Sequence, residues 1–254
     1  VPLRAFTPLV RDWFANAFEQ PTPAQTQAWP AIATGENVLI SAPTGSGKTL
    51  AAFLWGLDRF VAAAAAGAPV DQHRTRLLYI SPLKALSYDV ERNLRAPLRG
   101  LGLGEQVRVA IRTGDTPARE RAAMLRAAPD ILITTPESLY LMLTSRAREI
   151  LTDVEAVIVD EIHAVASTKR GAHLALTLER LEAQLERAPH RAGHPGAGRL
   201  QRIGLSATQR PLEEVARFMV GPTRRATIID VGATRPLDLE IRVPVESMVE
   251  PDQG

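Results

Sequence analysis

The octapeptide Ala42-Pro43-Thr44-Gly45-Ser46-Gly47-Lys48-Thr49 constrains what this chain can fold into more than any other stretch. Gly45 and Gly47 let the backbone turn its N–H groups toward phosphate oxygens, Lys48 can reach the β and γ phosphates of a nucleotide, and the Thr49 hydroxyl suits Mg²⁺. Thr44 and Ser46 complete the loop. Such a loop works between a buried strand and the start of a helix, whose positive dipole end adds to the cradle. Both neighbours can be read beside it. Val38-Leu39-Ile40 is a short apolar run, and Lys48 to Ala66 is apolar enough for a packed helix. The pattern usually opens with Gly, and here that position is Ala42. A Gly/Ser/Thr turn that merely opens a helix is the competing account, and the strand–loop–helix context argues against it.

With 254 residues and 45% hydrophobic content the chain can bury a full core, and we expect one large domain. No cysteine is present, which excludes a disulfide framework and a cysteine zinc site and fits the cytoplasm. The longest uncharged apolar stretch is the Ala-rich end of the helix after the loop. It falls far short of the roughly 20 residues that span a bilayer, so no membrane partner is expected. Net charge is only +2, so polyanionic partners must be met by local patches. Of the 30 basic residues only Lys48, Lys84 and Lys169 are lysine. A compact ammonium fits between phosphates where a planar guanidinium does not, so the lysine in the loop is retained for its geometry.

Helix starts are marked at Thr7-Pro8, followed by Val10, Trp13, Phe14, Ala17 and Phe18 at helical spacing, and at Thr22-Pro23, with Gly35 as the stop. The second helix carries Gln25, whose amide offers both a donor and an acceptor to an adenine edge. Beyond a polar break over 67–75, Leu77-Leu78-Tyr79-Ile80 predicts a strand leading through Pro82 and Lys84 into a helix that breaks near Pro97 and Gly100. Val107 to Ile111 predicts a strand ending in Arg112-Thr113-Gly114-Asp115, with a helix from Pro117 to Ala128. Ile131-Leu132-Ile133 predicts the next strand, running into Thr134-Thr135-Pro136-Glu137-Ser138 and a helix with Leu139, Leu141 and Met142. Short apolar strand, then helix, is the repeating unit. It implies an α/β fold with a mostly parallel sheet and helices on both faces.

The run from Val154 to Val159 predicts a strand that delivers Asp160-Glu161-Ile162-His163 at its C-terminal end, the edge where open α/β sheets bind ligands. Asp160 there can hold Mg²⁺, usually through water, and Glu161 can orient or deprotonate an attacking water. An amphipathic helix follows over 171–187. His190 and His194 lie in a Gly/His/Arg-rich stretch read as a surface loop rather than a metal site. Leu200 to Leu205 predicts a strand ending in Ser206-Ala207-Thr208, Pro211 to Met219 a helix, and Ala226 to Val231 the strand that closes the sheet. Leu237, Leu239, Ile241, Val243 and Val245 then alternate as in a connector or edge strand.

Taken together, the phosphate loop, Asp160 to His163 and Ser206 to Thr208 resemble, in order and spacing, the first RecA-like domain of a superfamily 2 helicase of the DExH type. Asp160 to His173 resembles the large helicase-related (Lhr) group in particular. The resemblance implies a RecA-like domain over 21–232 that uses ATP and Mg²⁺, an N-terminal helix over 1–20, and a connector over 233–254 toward a second RecA-like domain. It implies catalytic roles for Lys48, Asp160 and Glu161, adenine reading by Gln25, and Mg²⁺ binding by Thr49 and Asp160. His163, Ser206 and Thr208 would relay nucleotide state to the strand-binding face, where Pro82, Lys84, Arg112, Thr113, Thr135 and Glu137 would track single-stranded DNA, or RNA. Movement 3′ to 5′ and a part in genome repair are also implied. A nucleotide-gated binding module without turnover and a P-loop kinase of small metabolites are the alternatives.

Overall fold

Segments of four to six residues built on short apolar runs are too short for helices that bury a face and long enough to cross a sheet. They form it here. The computed structural model describes residues 2–67, 75–188, 199–207 and 210–232. Its strands are β1 (Val38–Ser41), β2 (Leu77–Ile80), β3 (Val109–Arg112), β4 (Ile131–Thr134), β5 (Ala156–Val159), β6 (Gln201–Ser206) and β7 (Thr227–Asp230). They make one sheet in the order β3-β4-β2-β5-β6-β1-β7, and every pairing is parallel.

Successive side chains of a strand point to opposite faces, and two core clusters divide them accordingly. Val38, Ile40, Tyr79, Ile133 and Ile158 pack with α1 (Pro8–Ala17), α2 (Pro23–Ala33), α3 (Lys48–Ala65) and α4 (Lys84–Gly100). Leu39, Leu78, Leu132, Val157 and Val159 pack on the other face with α6 (Pro136–Leu143), α8 (Lys169–Glu186) and α9 (Leu212–Val220). Between them in sequence lie α5 (Ala118–Arg126) and the short α7 (His163–Ala166). Helices therefore cover both faces, as the alternation of elements predicts.

Several boundaries differ from expectation. Pro97 does not break α4, which runs to Gly100; a proline in the last turn forfeits little because few backbone bonds remain beyond it. Strand β3 begins at Val109 rather than Val107, and β5 at Ala156 rather than Val154. Thr7 occupies the N-cap of α1 without capping it; its N–H and hydroxyl both reach Asp58 Oδ1 on α3 at 2.7 Å. The stretch 189–198 with His190 and His194, most of the polar break over 67–75, and the alternating tail from Leu237 fall outside the described residues.

The second face is fixed by a buried arginine. Arg202 on β6 is 1% exposed and bonds Glu179 of α8 at 2.8 Å, Glu182 of α8, and the Met219 carbonyl of α9 at 2.9 Å. Removing one partner of a buried pair leaves the other charge uncompensated, so Arg202→Met should cost about 3–5 kcal/mol. Arg224 also pairs with Glu179 and Glu182, which holds the loss toward the lower figure. Denaturant unfolding of Arg202→Met, beside the double variant Arg202→Met/Glu182→Leu, tests this. The double variant should regain most of the stability.

Candidate functional site

Parallel pairing puts the C-terminal ends of all seven described strands on one edge of the sheet. Strand β1 lies between β6 and β7, and its ladder continues one residue past the strand, where the Ala42 N–H bonds the Ser206 carbonyl at 3.1 Å. Ala42 is fully buried in the first core cluster, so the methyl group that replaces the usual glycine is accommodated. Gly45 and Gly47 both have φ +79, and Gly47 is the residue that turns the chain into α3. A side chain at Gly47 is excluded twice. Its backbone is left-handed, and a Cβ would lie 2.7 Å from Gln25 Nε2.

Two polar groups of the loop point to an anion. Lys48 is 6% exposed, and among the described residues its ammonium has the Ala42 carbonyl at 3.4 Å and Glu161 Oε1 at 4.0 Å as partners. The Ser46 hydroxyl is buried with no hydrogen-bond partner. Buried polar atoms are almost always satisfied, so an orphaned donor beside a half-paired ammonium fits a ligand rich in oxygen acceptors. Thr49, half-buried in the first turn of α3, stands beside them. Gln25 is 3% exposed and sits in a capping box: its Oε1 accepts the Thr22 N–H at 3.0 Å and its Nε2 donates to the Gly47 carbonyl at 3.4 Å. An amide carries two lone pairs and two N–H groups, so one of each is still free for an adenine edge.

Asp160 and Glu161 follow β5. The Asp160 N–H continues the ladder to Ile80 at 2.9 Å, and both carboxylate oxygens are engaged: Oδ1 accepts the Glu161 N–H at 2.9 Å, and Oδ2 accepts the Tyr79 hydroxyl. Burial, and then the Asp160 charge, push the Tyr79 hydroxyl well above its ordinary range, so it stays protonated as the donor. Glu161 has φ +43, a conformation that costs about 1–3 kcal/mol outside glycine and collects at functional sites. The bend places Oε1 4.0 Å from Lys48 and Oε2 3.4 Å from His163 Nε2.

His163 Nδ1 accepts the Ala207 N–H at 3.2 Å, so in the neutral ring the proton is on Nε2, facing Glu161. The bridge from the carboxylate to the Ser-Ala-Thr segment thus runs through a main-chain amide; the Ser206 hydroxyl donates to the Ala207 carbonyl at 2.9 Å instead of to His163. Thr208 lies outside the described residues.

The other half of the edge, beyond β2, β4 and β3, carries the remaining sequence-selected residues. Pro82 is buried and Lys84 is exposed at the start of α4, with its ammonium 2.9 Å from both oxygens of Asp115. Arg112 ends β3 with one guanidinium nitrogen buried and unpartnered; burial, and then the nearby Arg121, lower its pKa. Thr113 and Thr135 spend their hydroxyls on local structure: Thr113 accepts the Asp115 N–H at 3.3 Å, and Thr135 caps α6 through the Ser138 N–H at 3.4 Å. Glu137 is ion-paired with Arg170 of α8, which holds its carboxyl below the usual carboxylate range. The roles of Tyr79, Ala207, Arg170 and Asp115 are missing from the sequence reading. A tyrosine inside an otherwise aliphatic strand was the one available signal, because its buried hydroxyl requires a partner.

A phosphate cradle and a carboxylate pair on one edge of an all-parallel sheet define a P-loop nucleotide-binding domain of RecA-like architecture. The model of the DEAD/DEAH box helicase family matches residues 22–216. The chain belongs to that family, which sets aside the metabolite-kinase alternative. It is 54% identical to the Lhr helicase/probable uracil glycosylase of Mycolicibacterium smegmatis, covering 100% of this chain and 16% of that protein. It is 46% identical to the ATP-dependent helicase Lhr-Core of Methanothermobacter thermautotrophicus, covering 96% of this chain and 28% of that one. A solved structure of Mycobacterium smegmatis helicase Lhr bound to ssDNA and AMP-PNP superposes with a TM-score of 0.82 at 53% identity, over 99% of this chain and 31% of that one. The chain therefore spans between about a sixth and a third of the length of these relatives.

Gly47→Ala isolates the loop geometry. A left-handed alanine costs roughly 1–2 kcal/mol, and its methyl must displace Gln25 as well. Nucleotide affinity should fall at least tenfold while the melting temperature drops by only a few degrees. Undiminished affinity by calorimetry would show that the loop tolerates another path.

Proposed function

We propose that this chain is the ATP-binding half of an ATP-dependent helicase or translocase that moves 3′ to 5′ along single-stranded DNA, with RNA as the alternative track. The observation that carries the proposal is the confrontation of Lys48 with Glu161, 4.0 Å apart at the mouth of the phosphate loop. A γ-phosphate entering between them would take Lys48 as its counter-charge. Glu161 would then face the attacking water, orient it and accept its proton. His163, with its proton on Nε2, holds the Glu161 carboxylate in place and links it to Ala207. Thr49 and Asp160 would hold Mg²⁺, which supplies charge neutralisation at the phosphates. Adenine would be read by the free amide valences of Gln25. The relatives support this reading: Mycobacterium smegmatis helicase Lhr has been solved bound to ssDNA and AMP-PNP together.

The site is proposed to be composite. Among the described residues, Lys48 and His163 are the basic groups paired with Glu161, and no arginine pairs there. Phosphoryl transfer in P-loop enzymes gains about 10³–10⁵ in rate from a supplied arginine, which a second RecA-like domain would provide. The strand would bind the half of the edge that carries Pro82, Lys84, Arg112, Thr113, Thr135 and Glu137. Ser206 and Thr208 would relay nucleotide state to it. A place in genome repair belongs to the same proposal and rests on the resemblance alone.

Strand-stimulated ATP hydrolysis by the whole protein, with two variants, tests the reading. Lys48→Ala removes a charge-assisted contact of about 1.5–3 kcal/mol, so ATP affinity should fall roughly ten- to a hundredfold. Glu161→Gln should bind nucleotide normally and lose about 10²–10⁴ in turnover, because an amide cannot accept the proton. The 254-residue chain by itself should bind ATP weakly and turn it over negligibly. Full hydrolysis by Glu161→Gln would show that Glu161 is only a structural carboxylate, and robust strand-stimulated hydrolysis by the chain alone would defeat the composite-site reading. A bound-but-inert outcome for the whole protein would favour the nucleotide-gated module.

The strand-binding half makes a separate prediction. Contacts made by cations to phosphates release counterions, so strand affinity should fall steeply with salt and show little base preference. Salt-independent binding in a fluorescence-anisotropy titration would place the strand elsewhere.

A further inference from the structure

Tyr79 lies in the middle of β2, fully buried, on the sheet face that carries the phosphate loop. Its ring stacks on Phe53 of α3, with centroids 5.1 Å apart and planes 17° from parallel. Its hydroxyl bonds Asp160 Oδ2. These contacts follow from the register. Tyr79 pairs with Ile158 across the parallel ladder, and Asp160, two residues further on, points to the same face one step nearer the ligand edge. Phe53 is four residues past Thr49 on the helix that the loop opens. The ring thus stands between the helix of the phosphate loop and the carboxylate that follows β5.

A phenylalanine or leucine would fill the same volume without a polar atom, and a hydroxyl buried in this core is tolerable only because Asp160 accepts from it. With Oδ1 taken by the Glu161 N–H and Oδ2 by Tyr79, the carboxylate is fixed in rotation, and each oxygen keeps a lone pair toward the edge. We propose that Tyr79 is a positioning residue for metal binding: its hydroxyl, braced by Phe53, sets the orientation in which Asp160 meets Mg²⁺ beside the bound nucleotide. The inference rests on the assignment of Asp160 to Mg²⁺ made above and extends it to a residue outside the helicase motifs. Outer partners of metal-binding carboxylates commonly change metal affinity ten- to a hundredfold when removed.

The experiment is a titration of the 254-residue chain with a fluorescent ADP analogue, first in EDTA and then across a Mg²⁺ series. The unsubstituted chain should bind more tightly as Mg²⁺ is added; if Mg²⁺ makes no difference to it, the assignment of Asp160 fails and this inference with it. Tyr79→Phe keeps the ring stack and removes one oxygen. It should match the affinity of the unsubstituted chain in EDTA and melt only a few degrees lower, while the Mg²⁺ concentration for half-maximal tightening rises roughly tenfold. Asp160→Asn should lose most of the Mg²⁺ response, and adding Tyr79→Phe to it should change nothing more. Phe53→Leu, which leaves the hydroxyl but removes its brace, should shift the Mg²⁺ midpoint in the same direction by a smaller factor. An unshifted midpoint in Tyr79→Phe with a normal response in the unsubstituted chain would overturn the inference while leaving the nucleotide site intact. So would equal weakening in EDTA and Mg²⁺, or a Tyr79→Phe effect that adds fully to Asp160→Asn.

Discussion

The site depends on three backbone hydrogen bonds made beyond the ends of the regular strands. The Ala42 N–H reaches Ser206, the Asp160 N–H reaches Ile80, and the Ile162 N–H reaches Leu205, at 3.1, 2.9 and 3.0 Å. The first two carry the parallel ladder a step past its last paired residue, and the third ties the chain back to β6 three residues after the end of β5, just where it would otherwise be free to leave the sheet. The phosphate loop, the carboxylate pair and the Ser-Ala-Thr segment are thereby held at one height, although they are far apart in sequence. Register carries this precision because a slip of one residue turns every side chain to the opposite face. Asp160 would then point away from the loop, and Tyr79 would lose it as acceptor.

Much of the fold was legible because the central strands β1, β2, β4 and β5 are largely buried on both faces and read as short apolar runs. Leu77 to Ile80 matches its strand residue for residue, and Val38, Ile131 and Leu200 mark three others to within a residue. The phosphate loop was legible for a different reason: its glycines and lysine are demanded by the conformation and chemistry of eight consecutive residues. What could not be read were partners supplied from elsewhere in the chain. Thr7 has the composition of a cap, and its side chain goes to Asp58, 51 residues away. His163 suggests a side-chain relay by composition, and it is held by a main-chain N–H that no residue type announces. Gln25 is a helix residue whose other function, as half of a capping box against the loop, appears only once α2 is packed on α3.

The two halves of the ligand edge differ in how their charges are satisfied. In the nucleotide half Lys48 and Ser46 are under-partnered, which favours an incoming polyanion. In the half proposed for the strand, Lys84 is engaged by Asp115 and Arg170 by Glu137, while one guanidinium nitrogen of Arg112 is left without a partner. Exposed pairs of this kind contribute about 0–1 kcal/mol, so they are easily exchanged. A phosphate that displaces Asp115 from Lys84 gains an ion pair only by breaking one. If a strand binds this surface as proposed, it would do so by exchanging carboxylate for phosphate, with modest net affinity.

The path between the halves is short. Glu161 touches the nucleotide site through Lys48 and the Ser-Ala-Thr segment through His163, and it does so from a backbone conformation that is costly to hold. Strain of this kind persists only where surrounding contacts over-determine it, and here those contacts are the groups a nucleotide would disturb. If a γ-phosphate draws Lys48 away, Glu161 loses its cationic partner, and the balance of its remaining contacts shifts toward His163, which is held by Ala207. A change of a few ångströms at the phosphate end can reach the end of β6 in this way without any rearrangement of the core. The closely packed sheet resists gradual deformation, so such a signal is best carried by the segments that follow β5 and β6, where side chains rather than strands set the geometry.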